Sequence, residues 1–130
     1  MVEKQLIVAP SLYAENHPLA TIEELRKYNR QRFEMEQLTG IYYENFEEKR
    51  CVGYKIMTED EFWVRGHFPH GPASPGPLTP GVILCEVAAQ LASYFITKYD
   101  MFNGSVMGFA GLDEVKFRGM VRPGDRIVVQ

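Results

Sequence analysis

The sequence predicts an α+β domain in which an antiparallel sheet wraps one central helix, and three observations carry that expectation. The stretch VILCEVAAQLASYFITKY, starting at Val82, is apolar on nearly every side for about four turns, as a buried helix is. Around it lie short segments rich in β-branched and aromatic residues, separated by polar or Pro-Gly turns. The chain has 130 residues, 45% hydrophobic and 24% charged, which is the length of one domain and the balance of an ordinary globular protein. We therefore expect a single domain over 1–130, with a helical lead-in over about the first 40 residues.

Taken in order, the lead-in holds a capping box, Thr21 followed by Glu24, and then IEELRKYNRQRFEMEQL. That stretch predicts a helix with Ile22, Leu25, Tyr28 and Phe33 on its apolar side, ended by Gly40. IYYENF and RCVGYKIM predict a hairpin closed by the polar turn Glu47-Glu48-Lys49. EFWV predicts a further aromatic-rich strand. Residues 69–81 are crowded with Pro69, Pro72, Pro75, Pro77 and Pro80 and with Gly71, Gly76 and Gly81, so no regular element persists there. Within this loop Ser74-Pro75-Gly76 is echoed by Thr79-Pro80-Gly81, and either can open a helix with the hydroxyl residue as N-cap and proline at N1. The apolar helix follows. Beyond Asn103-Gly104, SVMGFAGLDEVKF and, after Pro123-Gly124-Asp125, RIVVQ predict two more strands.

Composition narrows the function. The net charge is −3, which lacks the broad positive field that nucleic acid or an anionic membrane demands. Cys51 and Cys85 have neither zinc-ribbon nor disulfide-framework spacing, and MVEKQLIVAP is too briefly apolar for a secretory leader, so a cytoplasmic protein with reduced thiols is expected. No stretch reads as the 18 to 20 apolar residues, roughly, of a membrane span.

Glu86 is the only acidic residue between Phe62 and Tyr99, and it sits inside the most apolar helix. A lone buried carboxylate costs several kcal/mol or gives up its charge, so Glu86 either finds a buried cation or polar edge, or serves chemistry. Gln90, four residues on, shares its helical face and either orients Glu86 or fills a buried network. His67, in RGHFP at the mouth of the proline loop, is the candidate general base, while His17 and His70 are not expected to act. No histidine and cysteine spacing forms a metal-ligand set, and neither a Gly-x-Ser-x-Gly elbow nor a phosphate-binding glycine turn is present, so no metal and no cofactor are expected.

Together, RGHFPHGPASPG followed by PGVILCEVAAQ resembles the 3-hydroxyacyl-[acyl carrier protein] dehydratases of fatty-acid synthesis, whose pattern is GHFPxxPxxPGV followed by a helix like LxxEAxAQ. GFAGLDEVKFRGMVRPGD is similar to that family's FLAGIDxxRFRxxVxPGD; the resemblance covers roughly residues 50–130 and is loose before them. One departure stands out. Family spacing from His67 puts the helix-opening proline at Pro75, whereas the register of Glu86 and Gln90 requires Pro80. The loop therefore carries five extra residues, one copy of the echo, and a bulkier active-site rim is expected.

The resemblance implies the hot-dog fold and an active site at a dimer interface, where His67 of one copy meets Glu86 of the other. It implies that His67 removes a C2 proton from a (3R)-3-hydroxyacyl thioester while Glu86 protonates the departing hydroxyl, giving the trans-2-enoyl thioester. The N–H of Gly81 or Val82 at the helix N-terminus is then the donor to the thioester oxygen, with Gln90 orienting Glu86. Phe68, Phe109 and Val82 either line an acyl tunnel or are plain core. Lys116, Arg118, Arg122 and Arg126 either dock an acidic acyl carrier protein or merely guard a sheet edge. Glutamate at the acidic position resembles the non-isomerising branch. A hot-dog acyl thioesterase or a non-catalytic acyl-thioester-binding protein is the alternative class. The resemblance also implies strands beyond Arg126–Gln130, so either the chain is cut short or its sheet is completed with fewer strands or by a partner.

Overall fold

A computed structural model describes residues 5–130; Met1–Lys4, the head of the lead-in, lie outside the described residues. In chain order the elements are α1 (Ile22–Leu25), β1 (Gly40–Asn45), β2 (Arg50–Ile56), α2 (Gly81–Lys98) and β3 (Arg126–Val129), with single 3₁₀ turns at Pro10–Leu12 and Phe33–Met35. The sheet is antiparallel in the order β1-β2-β3.

The hairpin forms as predicted, with Gly40 opposite Tyr54 and Asn45 opposite Arg50. Its turn is closed by the Asn45 side-chain oxygen, which accepts the Glu48 N–H at 3.0 Å, and by Phe46 O, which accepts the Lys49 N–H at 3.1 Å. The predicted C-terminal strand forms too, pairing Gly53 with Val129 and Ile56 with Arg126.

One sheet face packs under α2 and the other does not. Ile41 joins Leu38, Val87, Leu91, Tyr94 and Phe95 in the core beneath the helix. On the opposite face Tyr42, Val52 and Tyr54 gather with Val8, and the Tyr42 and Tyr54 rings stack at 4.0 Å. Gly53 lets the layers close, because a Cβ there would come within 2.8 Å of Leu91 Cδ1 and 2.9 Å of Leu38 Cδ1. A third cluster of Met57, Trp63 and Ile83 pins the turn after β2 beneath the start of α2.

Several expectations are corrected. The long lead-in helix shrinks to α1, and Gly40 opens β1 instead of ending a helix. After Tyr28 no apolar side chain continues the stripe, Phe33 being 85% exposed. Side chains there bond to main chain instead: Arg32 Nη1 donates to Asn29 O and its Nη2 to Arg26 O, while Asn29 Nδ2 donates to Gln90 O. Thr21 makes no side-chain cap. EFWV is a turn, in which Trp63 O accepts the N–H groups of Gly66 and His67. SVMGFAGLDEVKF forms no strand: residues 105–117 are almost wholly exposed and pair with nothing in the sheet, and strand-like residues without a ladder partner do not hold a strand.

The apolar helix is buried on one face only, through Ile83, Val87, Gln90, Leu91, Tyr94 and Phe95, while Val82 on the other is 71% exposed. With a mean hydropathy of 1.2 over 18 residues, α2 is also long and apolar enough to cross a membrane, against the reading that no stretch reaches that length. The core helix of an α+β layer has the same properties, and α2 packs its inner face on β2 and β3.

Candidate active site

His67 sits at the end of the Trp63 turn, its N–H donating to Trp63 O at 2.8 Å. Two further bonds tie it to Leu78: His67 O accepts the Leu78 N–H at 2.9 Å, and Nδ1 lies 2.8 Å from Leu78 O. A carbonyl only accepts, so Nδ1 carries a hydrogen and the neutral ring keeps its lone pair on Nε2. Phe68 packs beside it, ring centroids 4.6 Å apart, and remains half-exposed.

Glu86 is built on a different support. Its Oε1 accepts a hydrogen bond from Gln90 Nε2 at 2.9 Å. Gln90 is 2% exposed, and every polar atom of its amide is engaged. Its Oε1 accepts the N–H groups of Gln37 at 2.9 Å and Leu38 at 3.0 Å, and Nε2 also donates to Met35 O at 2.7 Å. The i, i+4 spacing that the sequence offered therefore becomes a fixed contact, with Gln90 locked by the irregular segment that enters β1. Glu86 Oε2 has no partner among the described residues, and no hydrogen bond within the chain joins Glu86 to His67.

The helix opens at Gly81, as the register of Glu86 and Gln90 requires, so the later copy of the echo is the one used. Pro80 holds the N-cap position with no side-chain cap, in place of the predicted Thr79 cap with proline at N1. Ile83 N–H donates to Pro80 O at 2.9 Å, whereas the N–H groups of Gly81 and Val82 have no acceptor among the described residues. Gly81 admits the Phe117 ring: a Cβ there would lie 2.6 Å from Phe117 Cε2. From Gly81 an apolar groove of about 380 Å³ runs along the outer side of α2, lined by Leu84, Cys85, Ala88, Phe109, Leu112 and Phe117. Val82 is exposed and does not line it.

The basic residues divide. Lys116 and Arg118 are exposed and bonded to nothing among the described residues. Arg126 is engaged inside the chain, with Nη1 3.1 Å from Tyr42 OH and 3.4 Å from Glu15 Oε2. Arg122 reaches the proline loop, donating to Pro75 O at 2.8 Å and Pro77 O at 3.4 Å. Of the two thiols, Cys51 is pushed up to about 12 by burial and by the nearby Glu44 carboxylate, so it is no nucleophile.

The reading from sequence missed Leu78 and Phe117 as parts of the site. Leu78 acts through its carbonyl, which no side-chain pattern advertises. Phe117 lay in view among the basic residues, but its place over Gly81 depends on tertiary structure.

The chain is similar in sequence to known proteins. The FabA-like domain model matches residues 29–130. The 3-hydroxyacyl-[acyl-carrier-protein] dehydratase FabZ of Caldanaerobacter subterraneus subsp. tengcongensis is 38% identical over 84 residues, covering 65% of this chain and 56% of that protein. The protein of the same name from Clostridium novyi is 42% identical over 77 residues, 59% of this chain and 51% of its own. That from Clostridium beijerinckii is 33% identical over 110 residues, 84% of this chain and 74% of its own. The chain spans about half the length of the first of these relatives. With most of its length inside the family match and one long helix laid on an antiparallel sheet, the chain belongs to the FabA-like family and is a hot-dog α+β protein.

Proposed function

We propose that this chain dehydrates (3R)-3-hydroxyacyl thioesters carried on acyl carrier protein, with His67 as general base and Glu86 as general acid. The observation that carries the reading is the His67 Nδ1–H bond to Leu78 O, which leaves Nε2 as the basic nitrogen of the neutral ring. The names of the relatives support the reaction class. Nε2 takes the C2 proton, and the electron pair left on C2 forms the C2=C3 double bond. The C3–O bond breaks as Glu86 hands its proton to the hydroxyl, and water leaves. Gln90 occupies Oε1, so the proton to be delivered resides on Oε2. Negative charge developing on the thioester oxygen is met by the free N–H groups of Gly81 and Val82 and by the positive end of α2. The acyl chain lies in the apolar groove beside α2, past Phe109.

No hydrogen bond among the described residues joins His67 to Glu86, which supports a site completed by two copies, the histidine of one facing the glutamate of the other. The exposed Phe109, Leu112, Val115 and Phe117, with the outer face of α2, supply the apolar surface that such pairing buries. Lys116 and Arg118 are the free cations for an acidic carrier protein. The unpaired Cys51 and Cys85 fit a reducing, cytoplasmic setting.

The test is an ultraviolet assay on 3-hydroxybutyryl thioester with a thiol reagent present. Enoyl absorbance is expected without thiol release, and His67→Ala and Glu86→Gln are each expected to lose about 100-fold or more of kcat. Thiol release without enoyl product would move the assignment to a thioesterase. Full activity in both variants would remove the two residues from the mechanism.

A further inference from the structure

The five extra loop residues and Arg122 meet in one contact, and that contact leads to His67. Pro75 and Pro77 lack N–H groups and the Gly76 N–H is taken up locally by Ser74 Oγ at 3.2 Å, so the bonds from this part of the loop to the rest of the fold are made by its carbonyls. Arg122 Nη1 bonds to both, at 2.8 Å and 3.4 Å. The next docking bond is main-chain, Thr79 N–H to Val121 O at 2.8 Å, so residues 75–79 are tied to Val121 and Arg122 on both sides of Leu78. Arg122 is in turn fixed at its backbone: its N–H donates to Asp125 Oδ2 at 2.8 Å, and Asp125 N–H donates to Arg122 O at 3.0 Å. Gly124, at φ 96°, makes that turn. Pro77 is buried, whereas Gly71, Pro72, Ala73 and Pro75 before it are exposed. The result is a continuous path from the Asp125 turn through Arg122 and the loop carbonyls to Leu78 O, the acceptor for His67 Nδ1–H.

We infer that Arg122 is a positioning residue: by gripping the inserted loop it holds the Leu78 carbonyl in place and so fixes His67 in the tautomer with a bare Nε2. The inference rests on the dehydratase reading for its kinetic consequence but not for its structural one. A guanidinium suits the task because it stays charged and can serve two acceptors from one anchored stem. This also gives the extra residues a part in the site, because they supply Pro75 O and Pro77 O to Arg122 and end at Leu78.

The test compares Arg122→Met, which keeps the stem and removes the donors, with Arg122→Lys, a point charge of different geometry. Nitrogen-15 NMR of the imidazole ring reports the His67 tautomer, and kinetics on 3-hydroxybutyryl thioester report kcat and KM. For Arg122→Met we expect mixed His67 tautomers and a kcat lower by about 10-fold with KM changed less than about 2-fold, as for a misplaced base. Arg122→Lys is expected to recover part of both. A single native tautomer with native kcat in Arg122→Met overturns the inference. So does a collapse of both variants to unfolded protein, which would leave Arg122 a purely structural role. Should Arg122→Met alone fail to fold, a folded Arg122→Lys with a wholly native tautomer and kcat overturns it equally. If the unaltered chain forms no enoyl product, the dehydratase reading fails, and the NMR comparison still decides the role of Arg122.

Discussion

The two halves of the site are held in place by different means. Glu86 stands on an 18-residue helix and leans on Gln90, whose amide is buried and bonded to the irregular segment leading into β1. His67 stands at the end of a turn and leans on a loop carbonyl, which is kept in position by Arg122 and two main-chain bonds. One support is core and the other is rim. In the proposed mechanism the acid is thus aimed by a network tied into the core, while the base is given its tautomer by a loop carbonyl.

The contrast can be broken first at Gln90. Gln90→Leu leaves the buried N–H groups of Gln37 and Leu38 without acceptors, so a loss of about 2–4 kcal/mol is expected in chemical denaturation. Its kcat should fall, because Glu86 loses the only hydrogen-bond partner it has among the described residues, while the His67 tautomer stays native. Arg122→Met should do the reverse, disturbing His67 and sparing global stability. If either variant altered both halves, the two supports would be one.

A smaller effect sharpens the same contrast through pH. The Arg26 guanidinium donates to Glu36 at 2.6 Å and holds its carboxyl below the ordinary carboxylate range, with burial opposing it. Glu36 adjoins Gln37 and Leu38, so this bridge braces the Glu86 support only. A depressed carboxylate contributes stability that is fully present above its unfolded pKa, about 4 to 4.5, and is lost as pH falls through the folded value. Because the Arg26 side chain is 42% exposed, the contribution is under about 1 kcal/mol. Glu36→Gln should therefore melt slightly lower than the unaltered chain at neutral pH, with the gap closing as the solution is acidified. A gap independent of pH would contradict the assignment.

How far the sequence speaks differs between these regions for physical reasons. The Gln90–Glu86 pair was legible because helical periodicity dictates an i, i+4 contact, whereas the place where α2 starts followed from the family resemblance, which sets Glu86 six residues after the opening proline. The β1–β2 hairpin was legible because its partner strands are adjacent in sequence. What failed needed a distant partner. Residues 22–38 have the composition of a helix, but Asn29 Nδ2 donates to the distant Gln90 O and Arg32 donates to the nearby carbonyls of Asn29 and Arg26 instead. Residues 105–117 have the composition of a strand but no ladder beside them. Arg122 read as one of four like cations, and only its two proline carbonyls distinguish it from the free Lys116 and Arg118.

The central claim is that each chain carries two separately built halves of a dehydratase site that meet only between copies. Mixing subunits tests it most directly: His67→Ala and Glu86→Gln, each folded and inactive, are denatured together and refolded, with mass spectrometry confirming mixed pairs. In a mixed pair one site receives both altered residues and the other receives neither, so about a quarter of the unaltered activity is expected to return from an equal mixture. A mixture containing mixed pairs yet as inactive as its components would contradict the account.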